Sequence, residues 1–96
     1  MTAEIERFTK ILDSELDMQQ MAERIIEATL GSKGTEDDIR RKRYRLSSLK
    51  NNRVRMTIAD CEEIGLVFPQ YEIWLKTGIE FPERGHISPD TKPSES

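Results

Sequence analysis

The chain has 96 residues, 35% of them hydrophobic and 34% charged, with a formal net charge of −3. That composition supports one small domain with a modest core and leaves little room for a deep substrate cavity. No run of about 18 apolar residues is available to span a membrane, and a single cysteine excludes an internal disulfide and fits a reducing cytoplasm.

Apolar residues recur at helical spacing and strand-like alternation is scarce, so the expected class is all-α. The opening MTAEIERF is acidic and amphipathic, unlike a signal peptide. Ile5, Phe8, Ile11, Leu12 and Leu16 predict a first helix over roughly 3–15. Asp17, answered by Gln20, caps a second helix with the stripe Met18, Met21, Ala22, Ile25, Ile26 and Leu30. Gly31 ends it, and GSKG forms a turn. Thr35 caps a third helix over about 36–51, with Glu36, Asp37 and Asp38 in its first turn, where carboxylates suit the helix dipole. Asn51 or Asn52, which tolerate the left-handed conformation, can end it. Thr57 with Asp60 caps a fourth helix carrying Ile58, Cys61 and Ile64, closed near Gly65. Pro69 starts a fifth, with Tyr71, Trp74 and Leu75, closed by Gly78. The remainder, PERGHISPDTKPSES, has little to bury and reads as an ordered arm followed by a disordered tail. Cys61, in an apolar helical pattern, reads as a small buried hydrophobe rather than a nucleophile.

Charge is unevenly placed. Ile39 to Ala59 holds 8 of the 15 Lys and Arg residues and no acid, whereas the remaining 7 basic and 18 acidic residues net −11. Such polarity turns one face toward a polyanion and the others away from it. At 100° per residue, Ile39, Leu46 and Leu49 fall on the core side of the third helix. Arg40, Arg41, Tyr44, Ser47, Ser48 and Asn51 fall opposite, with Arg45 at the margin. Guanidinium, hydroxyl and amide groups are the ones that read base edges and grip phosphates. Lys42, Arg43 and Lys50 flank the stripe and can cover core edges with their aliphatic stems. A basic loop, Lys50 to Arg55, follows. A solvated basic face is the simpler explanation of the run, but an acid-free run this dense within an acidic chain favours nucleic acid.

From about Tyr44 to Gly78 the chain resembles the phage-type helix-turn-helix regulators of the Cro/C1 repressor superfamily. On that likeness the recognition helix ends RLSSLKNNR, the next begins at Thr57-Ile58, and the last runs Tyr71-Glu72-Ile73-Trp74-Leu75-Lys76-Thr77-Gly78. The Trp-Leu-Lys-Thr-Gly end is the most specific match, and Phe81 to Pro89 looks like the tail of a bacterial and prophage subgroup. The first half departs from the pattern: GSKGTEDD separates the second helix from the basic residues, and Arg40 stands where the family's turn glycine falls. Either the third helix is extended by about two turns at its start or the turn is remodelled. The resemblance implies a five-helix lambda-repressor-like DNA-binding domain over residues 1–80, with an extended third helix, and a flexible, partly disordered arm over 81–96. It places Arg41, Tyr44, Arg45 and Ser48 as base-contacting residues, three of which the helical phase selects independently. Arg40, Lys42, Lys50, Asn51, Arg53 and Arg55 are expected on phosphates.

Three function classes follow. The first is a sequence-specific transcriptional regulator of prophage or mobile-element type, binding double-stranded DNA at an inverted repeat as a homodimer, since one such module buries too little for tight specific binding. Phe68, Tyr71, Trp74, Ile79 and Phe81 offer a dimer patch or, for most of them, core. The second is a protein-interaction regulator, an antirepressor or another regulator's partner. Enzymatic activity has little support: His86, the sole histidine, lies in the arm far from Cys61, no phosphate-cradling loop or metal-spaced set is present, and Glu62 and Glu63 read as a solvated face. No cofactor or metal is expected, and the location implied is the cytoplasm, at the bacterial nucleoid when DNA is bound.

Overall fold

A computed structural model describes residues 2–91, which form an all-helical fold of five α-helices: α1 (Ala3–Ser14), α2 (Met18–Thr29), α3 (Glu36–Lys50), α4 (Ile58–Val67) and α5 (Glu72–Thr77). No strand occurs among the described residues; Phe81 and His86 make one isolated antiparallel bridge. Capping sets three of the helix starts. Asp17 with Gln20, Thr35 with Asp38 and Thr57 with Asp60 each form a reciprocal capping box, satisfying backbone N–H groups that the first turn cannot use.

Of the expected helix ends, those at Gly31, Asn52 and Gly78 hold and the one at Gly65 does not. Gly31, at φ 58°, turns the chain out of α2 into a 3-10 turn over Gly31–Lys33. Asn52, at φ 59°, is the left-handed residue after α3. Gly65 does not close α4, which continues to Val67; the glycine is buried inside the helix, and a Cβ there would stand 2.2 Å from Glu72 Oε1. Pro69 opens a 3-10 turn over Pro69–Tyr71 that leads into α5, and Gly78 closes α5 at φ 77° with its N–H on Trp74 O at 2.7 Å. Arg7 donates from Nη1 to Leu75 O at 2.9 Å, tying α1 to this helix end.

The α2 helix packs against α3 and α4, α4 against α5, and α1 against α3 and α5. Their apolar stripes meet in one core, from Ile5, Phe8 and Ile11 through Met21 and Ile25 to Leu49, Ile64 and Leu75. Phe68, Tyr71 and Trp74 belong to this core and not to an exposed patch, with Tyr71 edge-on to Trp74 at 6.3 Å; Ile79 and Phe81 remain exposed. The Tyr71 hydroxyl donates to the Glu15 carboxylate, and burial, together with that bond, raises the phenol's pKa. Cys61 is buried, and burial, with Asp60 and Glu4 nearby, pushes its thiol up to about 11.

The described part of the arm is strapped down. Ile87 N–H donates to Gln70 O at 2.9 Å, Ser88 is buried, and Asp90 pairs with Lys10 of α1. The disordered tail expected at the end of the chain lies outside the described residues.

Leu49 has no exposed surface. Leu49→Ala is expected to lower the free energy of unfolding by about 3 kcal/mol in urea denaturation. Leu66→Ala, on the exposed side of α4, is expected to change it by less than about 0.5 kcal/mol.

Candidate nucleic-acid interface

The basic run occupies α3 and the loop to α4. At the start of α3, Glu36, Asp37 and Asp38 crowd the first turn, and hydrogen bonds from the Thr35 backbone and hydroxyl hold the Asp38 carboxyl below its usual range. Arg40 turns back to Asp37, Nη1 to Oδ1 at 3.1 Å, so this exposed cation is shared with a neighbouring acid.

Two rungs join α3 to α4. Lys42 Nζ lies 2.6 Å from Glu63 Oε2. Arg45 grips Asp60 in a bidentate pair, Nε to Oδ1 at 3.2 Å and Nη2 to Oδ2 at 2.6 Å, and the same Nη2 donates to Arg55 O at 2.9 Å. Asp60 also accepts from Thr57 N–H at 2.8 Å, so one carboxylate caps α4 and anchors α3. Burial drives the Asp60 pKa up, but the bonds from Arg45 and Thr57 outweigh it and hold the carboxyl below its usual range.

These contacts redistribute the expected site. Of the four base-reading positions, Arg41 and Tyr44 stand exposed, Tyr44 at 69%. Ser48 does not: it is buried at 4%. Arg45 is held toward α4. Arg45 is turned there by Asp60 of α4, and the loop after α3 adds the Arg55 carbonyl as a second acceptor; the same loop closes the end of the helix with Arg53 N–H on Ser48 O at 2.8 Å. Of the phosphate positions, Lys50, Asn51, Arg53 and Arg55 are exposed, whereas Lys42 is half-buried against Glu63 and Arg40 is shared with Asp37. Glu63 is accordingly not the solvated carboxylate expected from the sequence. Arg43, expected to cover the core edge, is exposed instead. Its signal was its place one turn from Ser47 on the outward arc.

Among the described residues Arg41, Arg43, Lys50, Arg53 and Arg55 make no ion pair with a carboxylate. Arg41 and Arg45 form a ridge between two clefts. One, about 280 Å³, is lined by Asp38, Asp60 and Glu63 together with Arg41, Lys42 and Arg45, so carboxylates match the cations there. The other, about 510 Å³, is lined by Arg40, Arg41, Tyr44, Arg45, Ser48 and Val54, with no carboxylate. Among the described residues no three His, Cys, Asp or Glu side chains stand close enough to hold a metal ion, and no helix is long and apolar enough to cross a membrane.

Comparison of the chain with protein-family models, with curated proteins and with solved structures finds no match.

A carboxylate whose pKa is lower in the folded than in the unfolded chain stabilises the fold above the unfolded value, about 3.9, and that contribution fades as pH falls through the folded value. Asp60→Asn is therefore expected to cost on the order of 2 kcal/mol at pH 7. The gap between variant and parent should close below about pH 4 in denaturant titrations; an equal gap at pH 3 and pH 7 would locate the stabilisation elsewhere.

Proposed function

We propose that the chain is a sequence-specific double-stranded DNA-binding regulator of repressor-like, prophage or mobile-element type, which meets DNA with the exposed arc of α3 and the loop that follows. One observation carries the reading: five exposed cations on and after α3, Arg41, Arg43, Lys50, Arg53 and Arg55, make no ion pair with a carboxylate among the described residues, while Lys42 and Arg45, which face α4, are paired with Glu63 and Asp60. A surface with unneutralised guanidinium and ammonium groups, bordered by the phenol of Tyr44, suits phosphates flanking an accessible major groove. In this reading the fold is a lambda-repressor-like variant whose extended third helix carries the recognition residues. The protein acts in the cytoplasm at the nucleoid, as a homodimer on an inverted repeat, because a single module buries too little to bind tightly.

Arg41 and Tyr44 contact bases in this scheme, and Arg43, Lys50, Arg53 and Arg55 contact phosphates. Arg45 acts through Asp60 and the Arg55 carbonyl to hold the loop, and touches no DNA itself. The second reading, a protein-interaction regulator, is favoured by the three carboxylates of the first turn, which stand at one end of the same helix and repel phosphate.

Gel shifts and fluorescence titrations across a salt series separate these readings. Arg53→Ala should weaken specific and random DNA alike and lower the slope of log K against log salt by about one. Arg41→Ala and Tyr44→Ala should weaken a selected sequence by about tenfold or more while changing random DNA less. Absence of any shift at low salt, with a protein retained on the immobilised chain, would favour the protein-interaction reading.

A further inference from the structure

The 510 Å³ groove beside α3 contrasts with the charge around it. Arginines rim it and no carboxylate lines it, yet its walls are predominantly carbon. Tyr44, exposed, and Val54, half-buried where it packs against the core, both line it, together with Arg40 and Arg41. Asn52 in its left-handed turn and the Arg53 N–H bond to Ser48 O fix Val54 in that position. Arg41 brings an exposed guanidinium to the edge of the groove, with no ion pair among the described residues, while Arg40 and Arg45 are shared with Asp37 and Asp60; the apolar interior must then meet whatever apolar group an approaching polyanion exposes. In the major groove of duplex DNA that group is the C5 methyl of thymine.

We infer that this groove receives thymine methyl groups, with Tyr44 and Val54 as the side chains that select thymine at the positions they face. The inference rests on the DNA-binding reading of the same surface. Bases follow one another about 3.4 Å apart along a strand, so a groove of this size takes methyls of neighbouring thymines and favours a short thymine run. The guanidinium of Arg41, on the ridge beside it, sits within the same footprint and reaches the adjoining base pair or phosphate. Val54 lies in the loop and not on the helix, so the loop contributes sequence preference as well as affinity.

The test begins with selection of a binding sequence from random duplex DNA by the full chain. Each thymine of the selected site is then replaced in turn by uracil, which differs only in lacking the methyl. The expected result is a loss of affinity of roughly fourfold per methyl at one or more thymines. That ratio should fall toward one in Tyr44→Ala and in Val54→Ala. Because the readout is a ratio within one variant, a general weakening of binding does not obscure it, and Tyr44 is exposed enough to be replaced without loss of folding. A selected sequence that binds uracil and thymine equally at every position would overturn the inference and leave the DNA-binding reading intact. A uracil penalty that persists unchanged in both variants would also overturn it, since the methyls would then meet other side chains. Failure to enrich any sequence would remove the DNA-binding reading itself.

Discussion

The geometry of the charged surface depends on the pairing of Arg45 with Asp60. Asp60 is the third residue of α4 and already closes its capping box with Thr57. By accepting both nitrogens of the Arg45 fork as well, it locks the start of α4 to the middle of α3, and Arg45 in turn takes the carbonyl of Arg55. Three elements are thereby fixed relative to one another: the basic helix, the basic loop and the helix that follows. A planar, bidentate guanidinium suits this task, because its donors have fixed directions and it is held at a partly dry site. Without it the loop would lose the restraint that sets Arg53, Val54 and Arg55 beside the helix.

The same pairing sorts the basic residues. On the side of α3 that meets α4, Lys42 and Arg45 are neutralised by Glu63 and Asp60; on the far side Arg40 is shared with Asp37, while Arg41 and Arg43 make no ion pair with a carboxylate among the described residues. Positive charge is thus concentrated by subtraction. A chain with net negative charge keeps exposed cations on α3 and the loop after it, because two of the acids that could meet the basic helix are spent on Lys42 and Arg45.

How much of this is legible in the sequence depends on how local the cause is. Helix starts are written in a few adjacent residues, and the capping boxes at Asp17, Thr35 and Thr57 appear where their side chains imply. The core stripes of α1 and α2 follow from spacing alone. Gly65 misleads because a glycine that ends a helix and one that admits a neighbour, here Glu72, look alike in one dimension. Ser48 misleads for a related reason: a helical wheel knows the helix's own phase but not the tertiary packing that buries one of its positions. The capture of Arg45 is decided by residues ten and fifteen positions away, Arg55 and Asp60. Arg43 is the converse: a position at the margin of the stripe, expected to cover the core edge, stands exposed.

The placement of acids at one end of α3 has a dynamic consequence. The helix has 15 residues, so its first turn and its last lie about 20 Å apart, with three carboxylates at one end and unpaired cations toward the other. A body carrying such a separated pair of charges experiences a torque in the field of a polyelectrolyte as well as a pull. On the DNA-binding proposal, that torque would turn the anionic end of α3 outward and its cationic end inward before contact. Encounters would then favour one tilt, and the carboxylates that weaken attraction at one end would orient the approach.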